Sequence, residues 1–336
     1  MKMLAVVGTG RIGTHHSLAI AKDVYDADLV GVVDPIAERA QQVAEKTGAK
    51  YAATSVSELL THTEIDGVVL TSPAATHLEQ VRDLTAKGLN ILCEKPLATS
   101  LADALEVVEA VSSSEVIFQV AFNRRFARSW QDAKQAIVRG EIGKIERISS
   151  TTRDPGPFKA DPSKVADWTI FNETLIHDFD TILWLNEGAR PVQVFTAADA
   201  LVAPEAKPNG FLDSSVVTIT FDNGAIATAE ASFRAMYGYD LRGEVFGSKG
   251  MASMGELPNT AFRLYTESGM SAPTAGTDES RFHASYVAEI EAFIQALNGQ
   301  EPPTFPTVYD GLAAQRLADA AIRSYQSGAP VTLEEK

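Results

Sequence analysis

The chain opens with two hydrophobic periods taking turns. Short apolar runs at LAVV (4–7), LVGVV (29–33), GVVLT (67–71), NILC (90–93) and VIFQV (116–120) alternate with amphipathic stretches at 36–47, 76–87 and 100–113. β-Branched runs separated by helical patterns predict a parallel sheet, each strand returned by a helix. Ser100, just ahead of LADALEVVEAV, reads as a helix N-cap.

Beyond residue 122 the rhythm changes. A helical pattern over 127–139 ends at Gly140, and a strand follows at 144–152. A loop rich in Pro, Gly and Asp (154–167) leads into a helix carrying FNETLIHDFD (171–180). Four alternating runs at 192–200, 214–221, 224–234 and 239–247 then follow without helices between them. That pattern predicts an antiparallel sheet in an α+β domain. Two helices close the chain, near 284–298 and 308–327, and 268–280 (SGMSAPTAGTDES) reads as a flexible loop. The expected division is therefore an α/β domain at 1–122 and an α+β domain at 123–336.

A chain of 336 residues agrees with two domains. The net charge of −15 disfavours nucleic acid and suits a neutral or cationic small substrate. Cys93 is the single cysteine, which excludes an intramolecular disulfide and a cysteine zinc site. Its place in an apolar run predicts a buried, inert thiol. The N-terminal apolar run is too short for a signal peptide, and no run reaches membrane-spanning length, so the expectation is a cytoplasmic protein without a membrane partner.

GTGRIG (8–13) follows a predicted strand and opens a predicted helix. Gly8 allows the tight turn, Gly10 lets the backbone approach a pyrophosphate, and Gly13 permits close helix–strand packing. Asp34 ends the next strand, at the spacing of a carboxylate that binds a ribose 2′-hydroxyl. A carboxylate repels a 2′-phosphate and no arginine directly follows it, so NAD is expected rather than NADP. Lys95, in CEKPLA (93–98), follows the fifth strand, where ligands of open α/β sheets gather.

These residues carry a family resemblance. GTGRIG, TSPAATH (71–77), CEKPLA, FNRRF (122–126) and IHDFD (176–180), in that order, resemble the glucose–fructose oxidoreductase / inositol dehydrogenase / MocA family. YGYDLRGEVFGSKGM (237–251) is similar to its inositol 2-dehydrogenase branch. The resemblance implies a Rossmann domain, then a domain with an open, mostly antiparallel sheet, a site in the cleft between them, and a homotetramer. It implies NAD-dependent oxidation of a polyol or sugar hydroxyl. Lys95 matches the catalytic lysine, Pro96 the following, often cis, proline, and His177 the histidine that accepts the hydroxyl proton. Arg125, Asp154, Tyr239 and Tyr286 fall where relatives contact polyol hydroxyls. Arg11, Ile12, Ser72, Pro73, His77 and Glu94 match positions lining the dinucleotide. Glu173 stands where the family usually has Asp; on a helix it shares a face with His177, four residues on.

The chemistry so implied needs a base and a positive charge. A histidine, with its ordinary pKa of ~6.5, suits proton removal near neutrality. Lys95 would stabilise the developing alkoxide. Two rival readings use the same residues. One is a metal-dependent hydrolase or isomerase built on Glu173, His177, Asp178 and Asp180, against which Asp178 lies about 100° around the helix from His177. The other is a non-catalytic NAD-binding sensor. The remaining histidines lack such context, and His16 reads as structural.

Overall fold

The structure is a computed structural model that describes residues 1–156, 161–162 and 165–333. Part of the expected 154–167 loop, residues 157–160 and 163–164, lies outside the described residues. Two compact units divide the chain: Met1–Phe126 with His283–Gln315, and Ala127–Phe282 with the chain from Arg316 on.

The first unit alternates strand and helix as the pattern predicts: β1 (Lys2–Val7), α1 (Arg11–Lys22), β2 (Ala27–Val33), α2 (Ala37–Thr47), β3 (Tyr51–Ala53), α3 (Val56–Leu59), β4 (Gly67–Leu70), α4 (His77–Ala86), β5 (Asn90–Cys93), α5 (Leu101–Ser112) and β6 (Phe118–Val120). The strands pair in parallel in the order β3-β2-β1-β4-β5-β6. Helices on both faces make the strands continuous apolar runs, and every residue of β4 is buried. Ser100 does cap α5, its hydroxyl accepting the Asp103 N–H at 3.1 Å. Strand β3 was not foreseen, because YAAT carries little β-branched signal.

In the second unit come α6 (Arg128–Val138), β7 (Ile145–Pro155), a π-helical turn (Ile170–Thr174), α7 (Ile176–Leu185), β8 (Pro191–Asp199), β9 (Ser214–Phe221), β10 (Ile226–Ala235), β11 (Asp240–Gly247) and β12 (Gly250–Met254). The hairpin β13 (Leu264–Thr266) and β14 (Gly269–Ser271) follows, then α8 (Asp278–Leu297), α9 (Val308–Ser327) and β15 (Val331–Thr332). The sheet order is β12-β11-β7-β10-β9-β8-β15, antiparallel except for the β7–β10 pair. The 268–280 loop is thus partly a strand; all of β14 is exposed, so no burial pattern marks it.

Helix α8 kinks at Phe282. Past the kink, Ile290, Phe293 and Ile294 enter the same core as Leu4, Val6, Ile20 and Val69. This packing brings residues 283–315 into the first unit, on the other side of the boundary expected at 122/123.

Candidate active site

The sheet order reverses between β1 and β4, and in open α/β sheets that switch point is where ligands bind. GTGRIG leaves the carboxyl end of β1, with Gly8 at φ 96°. A Cβ on Gly8 would meet Ser72 N at 2.7 Å, and one on Gly13 would run into the carbonyl of Gly8. Gly10 differs: a Cβ there would meet nothing within 4 Å. Two glycines are therefore required by packing, while the middle one faces open space at the start of α1. That arrangement fits a diphosphate resting on the helix N-terminus. Arg11 and Ile12 form the first turn of α1 beside it.

Asp34 closes β2 and is buried. Its Oδ2 accepts the Thr9 N–H at 2.9 Å and the Thr9 hydroxyl at 2.8 Å, and its Oδ1 accepts the Ile36 N–H at 3.0 Å. Burial pushes its pKa up, but these hydrogen bonds and the charge of Arg39 outweigh that and hold it below the usual carboxylate value. Thr9, which sequence reasoning passed over, is thus the brace that aims Asp34.

After β4, Ser72 and Pro73 begin the turn into α4. His77 at the start of that helix is buried, its ring nitrogens each 2.9 Å from a carbonyl oxygen, those of Pro96 and Ser72. It ties the turn after β4 to the turn after β5. The latter carries Glu94, half-buried Lys95 and a cis Lys95–Pro96 bond. Glu94 Oε2 accepts the Lys95 N–H at 3.2 Å, and Oε1 accepts from His16 Nε2 at 2.8 Å. Cys93 is fully buried, and burial, then the charge of Glu94, pushes its thiol far up, as an inert cysteine requires.

Arg125 and Tyr286 also belong to the first unit. Arg125 is buried and donates to Asp310 Oδ1 at 2.8 Å, while Asp310 in turn accepts from Thr307 ahead of α9. Tyr286 is buried with its ring against His15 and His16, at centroid distances of 4.8 and 5.4 Å.

The second unit holds the residues expected to perform the proton transfer. His177 lies in the first turn of α7, and Glu173 in the π turn before it; both are half-buried. The helix is not regular there. Leu175 N–H donates to the Ile170 carbonyl at 2.9 Å, an i→i+5 bond. Regular α-helical spacing is therefore interrupted at residues 170–174, just ahead of the turn that carries His177. Trp168, just upstream, has φ 63°, a strained value for a bulky side chain.

Asp178 is fully buried, and its carboxylate accepts the Ser150 hydroxyl at 2.5 Å and the Thr152 hydroxyl at 2.7 Å. Those contacts tie α7 to β7 and give Asp178 a packing role that sequence reasoning missed. Asp154 lies half-buried near the end of β7, and Tyr239, also half-buried, donates its N–H to the Ala275 carbonyl at 2.8 Å. Among the described residues, the grouping able to hold a metal is His16, Glu94 and Glu289, and it includes none of residues 173–180. Among them, too, no helix is long and apolar enough to cross a membrane.

Comparison with known proteins bears on the family and the fold. Residues 2–122 match a family model described as an oxidoreductase family with an NAD-binding Rossmann fold, and residues 130–253 match the GFO/IDH/MocA C-terminal domain. A myo-inositol 2-dehydrogenase from Thermotoga maritima is 35% identical over 337 residues, covering 99% of this chain and 98% of the relative. A scyllo-inositol 2-dehydrogenase (NAD(+)) from Bacillus subtilis is 34% identical, covering 99% of this chain and 96% of the relative. The crystal structure of scyllo-inositol dehydrogenase from Lactobacillus casei, with bound NAD(H) and scyllo-inositol, matches with a TM-score of 0.92 at 25% identity and covers 99% of both chains. With both of its halves matched and relatives alike from end to end, the chain belongs to the GFO/IDH/MocA family of oxidoreductases and carries that family's NAD-binding Rossmann domain.

Proposed function

We propose that the protein is an NAD-dependent dehydrogenase of a secondary hydroxyl on a cyclic polyol, with myo-inositol as the leading substrate. The observation that carries the reading is the gathering of the glycine cradle, Asp34 and Lys95 at the carboxyl ends of one parallel sheet. Bound there, NAD supplies the hydride acceptor. The chain's own residues do the rest. Gly8, Gly10, Arg11, Ile12 and Gly13 hold the diphosphate, Asp34 takes the ribose, and Ser72 and Pro73 line the next turn. His77 and Glu94 act by fixing the turns around them. His177 removes the hydroxyl proton, Glu173 orients it, and Lys95 stabilises the negative charge that builds on the oxygen. Arg125, Asp154, Tyr239 and Tyr286 offer donors and acceptors suited to a hydroxyl-rich ring.

Cofactor binding falls to residues 1–122 and substrate binding to 123–336, a functional boundary that the packing of 283–315 crosses. We read the protein as a cytoplasmic homotetramer. Support for that assembly comes from Phe195, Val216 and Ile226, apolar side chains at 42%, 45% and 46% exposure on the second sheet. Light scattering on the purified protein checks it, and a monomer would remove it.

NADH formation from a panel of inositols and aldoses tests the function. Turnover should be highest with one inositol; the T. maritima and B. subtilis relatives, named for different isomers at 35% and 34% identity, leave that isomer for the assay to name. NAD binding without turnover of any polyol or sugar would mark a sensor instead.

A further inference from the structure

Deep in the first unit lie three polar side chains that cofactor binding alone does not explain. His16 comes from α1, Glu94 from the turn after β5 and Glu289 from α8, with one ligand-type atom of each lying within 4.8 Å of the others. The His16 and Glu289 side chains have no exposure at all, and Glu94 has 8%. His16 Nε2 donates to Glu94 Oε1 and stands 3.9 Å from Glu289 Oε1. Neither Glu289 oxygen has a hydrogen-bond partner, nor does His16 Nδ1. A lone carboxylate is strongly disfavoured in such a setting, so its presence calls for a reason beyond packing.

We propose that Glu289 and His16 are positioning residues for Lys95, acting on it through the Glu94 carboxylate. This rests on the role given to Lys95 above. Glu94 folds back on the N–H of its own neighbour, Lys95, a contact that a single rotation of the side chain would break. His16 holds the other carboxylate oxygen and so fixes that rotation. The imidazole is itself confined, edge-on to the Tyr286 ring. The backbone carbonyl of Glu289 accepts from Gln119 Nε2 at 2.9 Å, which sets the height of its side chain. Burial, then the negative charge of Glu94, pushes Glu289 well above the ordinary carboxylate range, which favours its neutral acid form. In that form it fills the space beside the imidazole without a second negative charge to turn Glu94 away from Lys95.

The test uses the full-length protein and three variants. Glu289→Gln stays neutral and keeps the planar polar head against the imidazole, Glu289→Met loses both carboxyl oxygens, and His16→Phe removes the donor to Glu94. Hydrogen exchange is read in a peptide spanning Cys93–Leu97, with NAD affinity and kcat measured alongside. Glu289→Met and His16→Phe should each speed exchange in that peptide by about fivefold or more, a local opening rather than global unfolding. Both should lower kcat by about 10- to 100-fold, as loss of an orienting partner does, with NAD affinity nearly retained. Glu289→Gln should restore wild-type exchange and turnover. Unchanged exchange in the folded Met and Phe variants, or a Gln variant that behaves like Met, overturns the proposal. So does stoichiometric divalent metal in the wild type that is lost in Glu289→Gln, which would make the cluster a metal site. If wild-type protein oxidises no polyol or sugar, the dehydrogenase reading fails while the exchange data still decide what holds Lys95.

Discussion

Asp34 has both oxygens engaged by Thr9 and Ile36, so its direction is set before any ligand arrives. Its lowered pKa leaves it ionised at neutral pH, able to accept from a 2′-hydroxyl and opposed to a 2′-phosphate. Asp34→Ser should shift the NAD-to-NADP ratio of kcat/KM toward NADP by about tenfold or more, ~1.4 kcal/mol per factor of ten. Wild-type activity with NADP equal to that with NAD would remove the ribose assignment. Lys95 makes a second test. If its charge stabilises the alkoxide, Lys95→Ala should lower kcat by ~10²–10³ while NAD still binds, the usual loss for one preorganised electrostatic partner. Nearly unchanged turnover would make it a solvated turn lysine. The places of both residues, just after β2 and β5, were legible from the chain because a tight turn, a strand end and a helix start are local requirements. His16, Glu94 and Glu289 were not legible as a group. They meet only through the fold, with Glu289 far along the sequence from the other two, and nothing in a periodic pattern marks such a meeting.

Long elements left the clearest trace in the sequence, and short irregular ones left little. Strands β8 to β11 alternate over eight or more residues each, enough for period two to stand out. The π turn spans five residues, too few for its wider period to separate from an α-helix. It matters because it leads directly into α7, whose first turn carries His177. The buried Asp178 carboxylate, held by two hydroxyls of β7, is one tie between that helix and the sheet. Removing that group takes one hydrogen-bond acceptor from each of the buried Ser150 and Thr152 hydroxyls. Asp178→Ala should therefore destabilise the protein by about 2–4 kcal/mol, read from urea unfolding. It should also lower kcat, because His177 is the adjacent residue. Combined with Ser150→Ala and Thr152→Val, the losses should be clearly less than additive. Full additivity would mean that the hydroxyls and Asp178 do not act as one anchor.

Over the whole molecule, 44 acidic side chains face 29 basic ones, so stability should follow the carboxylates as pH changes. Asp34, Asp240 and Asp310 are held below their ordinary value: burial opposes this, while hydrogen bonds and neighbouring arginines outweigh it. Each adds stability that is present above the unfolded pKa and is lost as pH falls through the folded one. Glu289 runs the other way. Its folded pKa is raised by burial and by Glu94, so its contribution is full below the ordinary carboxylate pKa and is lost as pH rises through the raised value. The groups facing it are His16 from α1 and Glu94 after β5, with Tyr286 of its own helix over the imidazole. Between the ordinary carboxylate pKa and its raised value, Glu289 should tilt stability downward by up to about 1.4 kcal/mol per pH unit, the limit for one proton. Urea unfolding from about pH 5 to about pH 9 measures that tilt. Glu289→Gln should flatten the alkaline descent and leave the acid limb in place. Asp310→Asn also breaks the Arg125 pair and so lowers stability throughout, but it should make the acid limb shallower and leave the alkaline descent as steep as before. An alkaline slope in Glu289→Gln equal to that of wild type would mean that Glu289 is already ionised at neutral pH, and that Glu94 holds Lys95 against a second negative charge rather than beside a neutral acid.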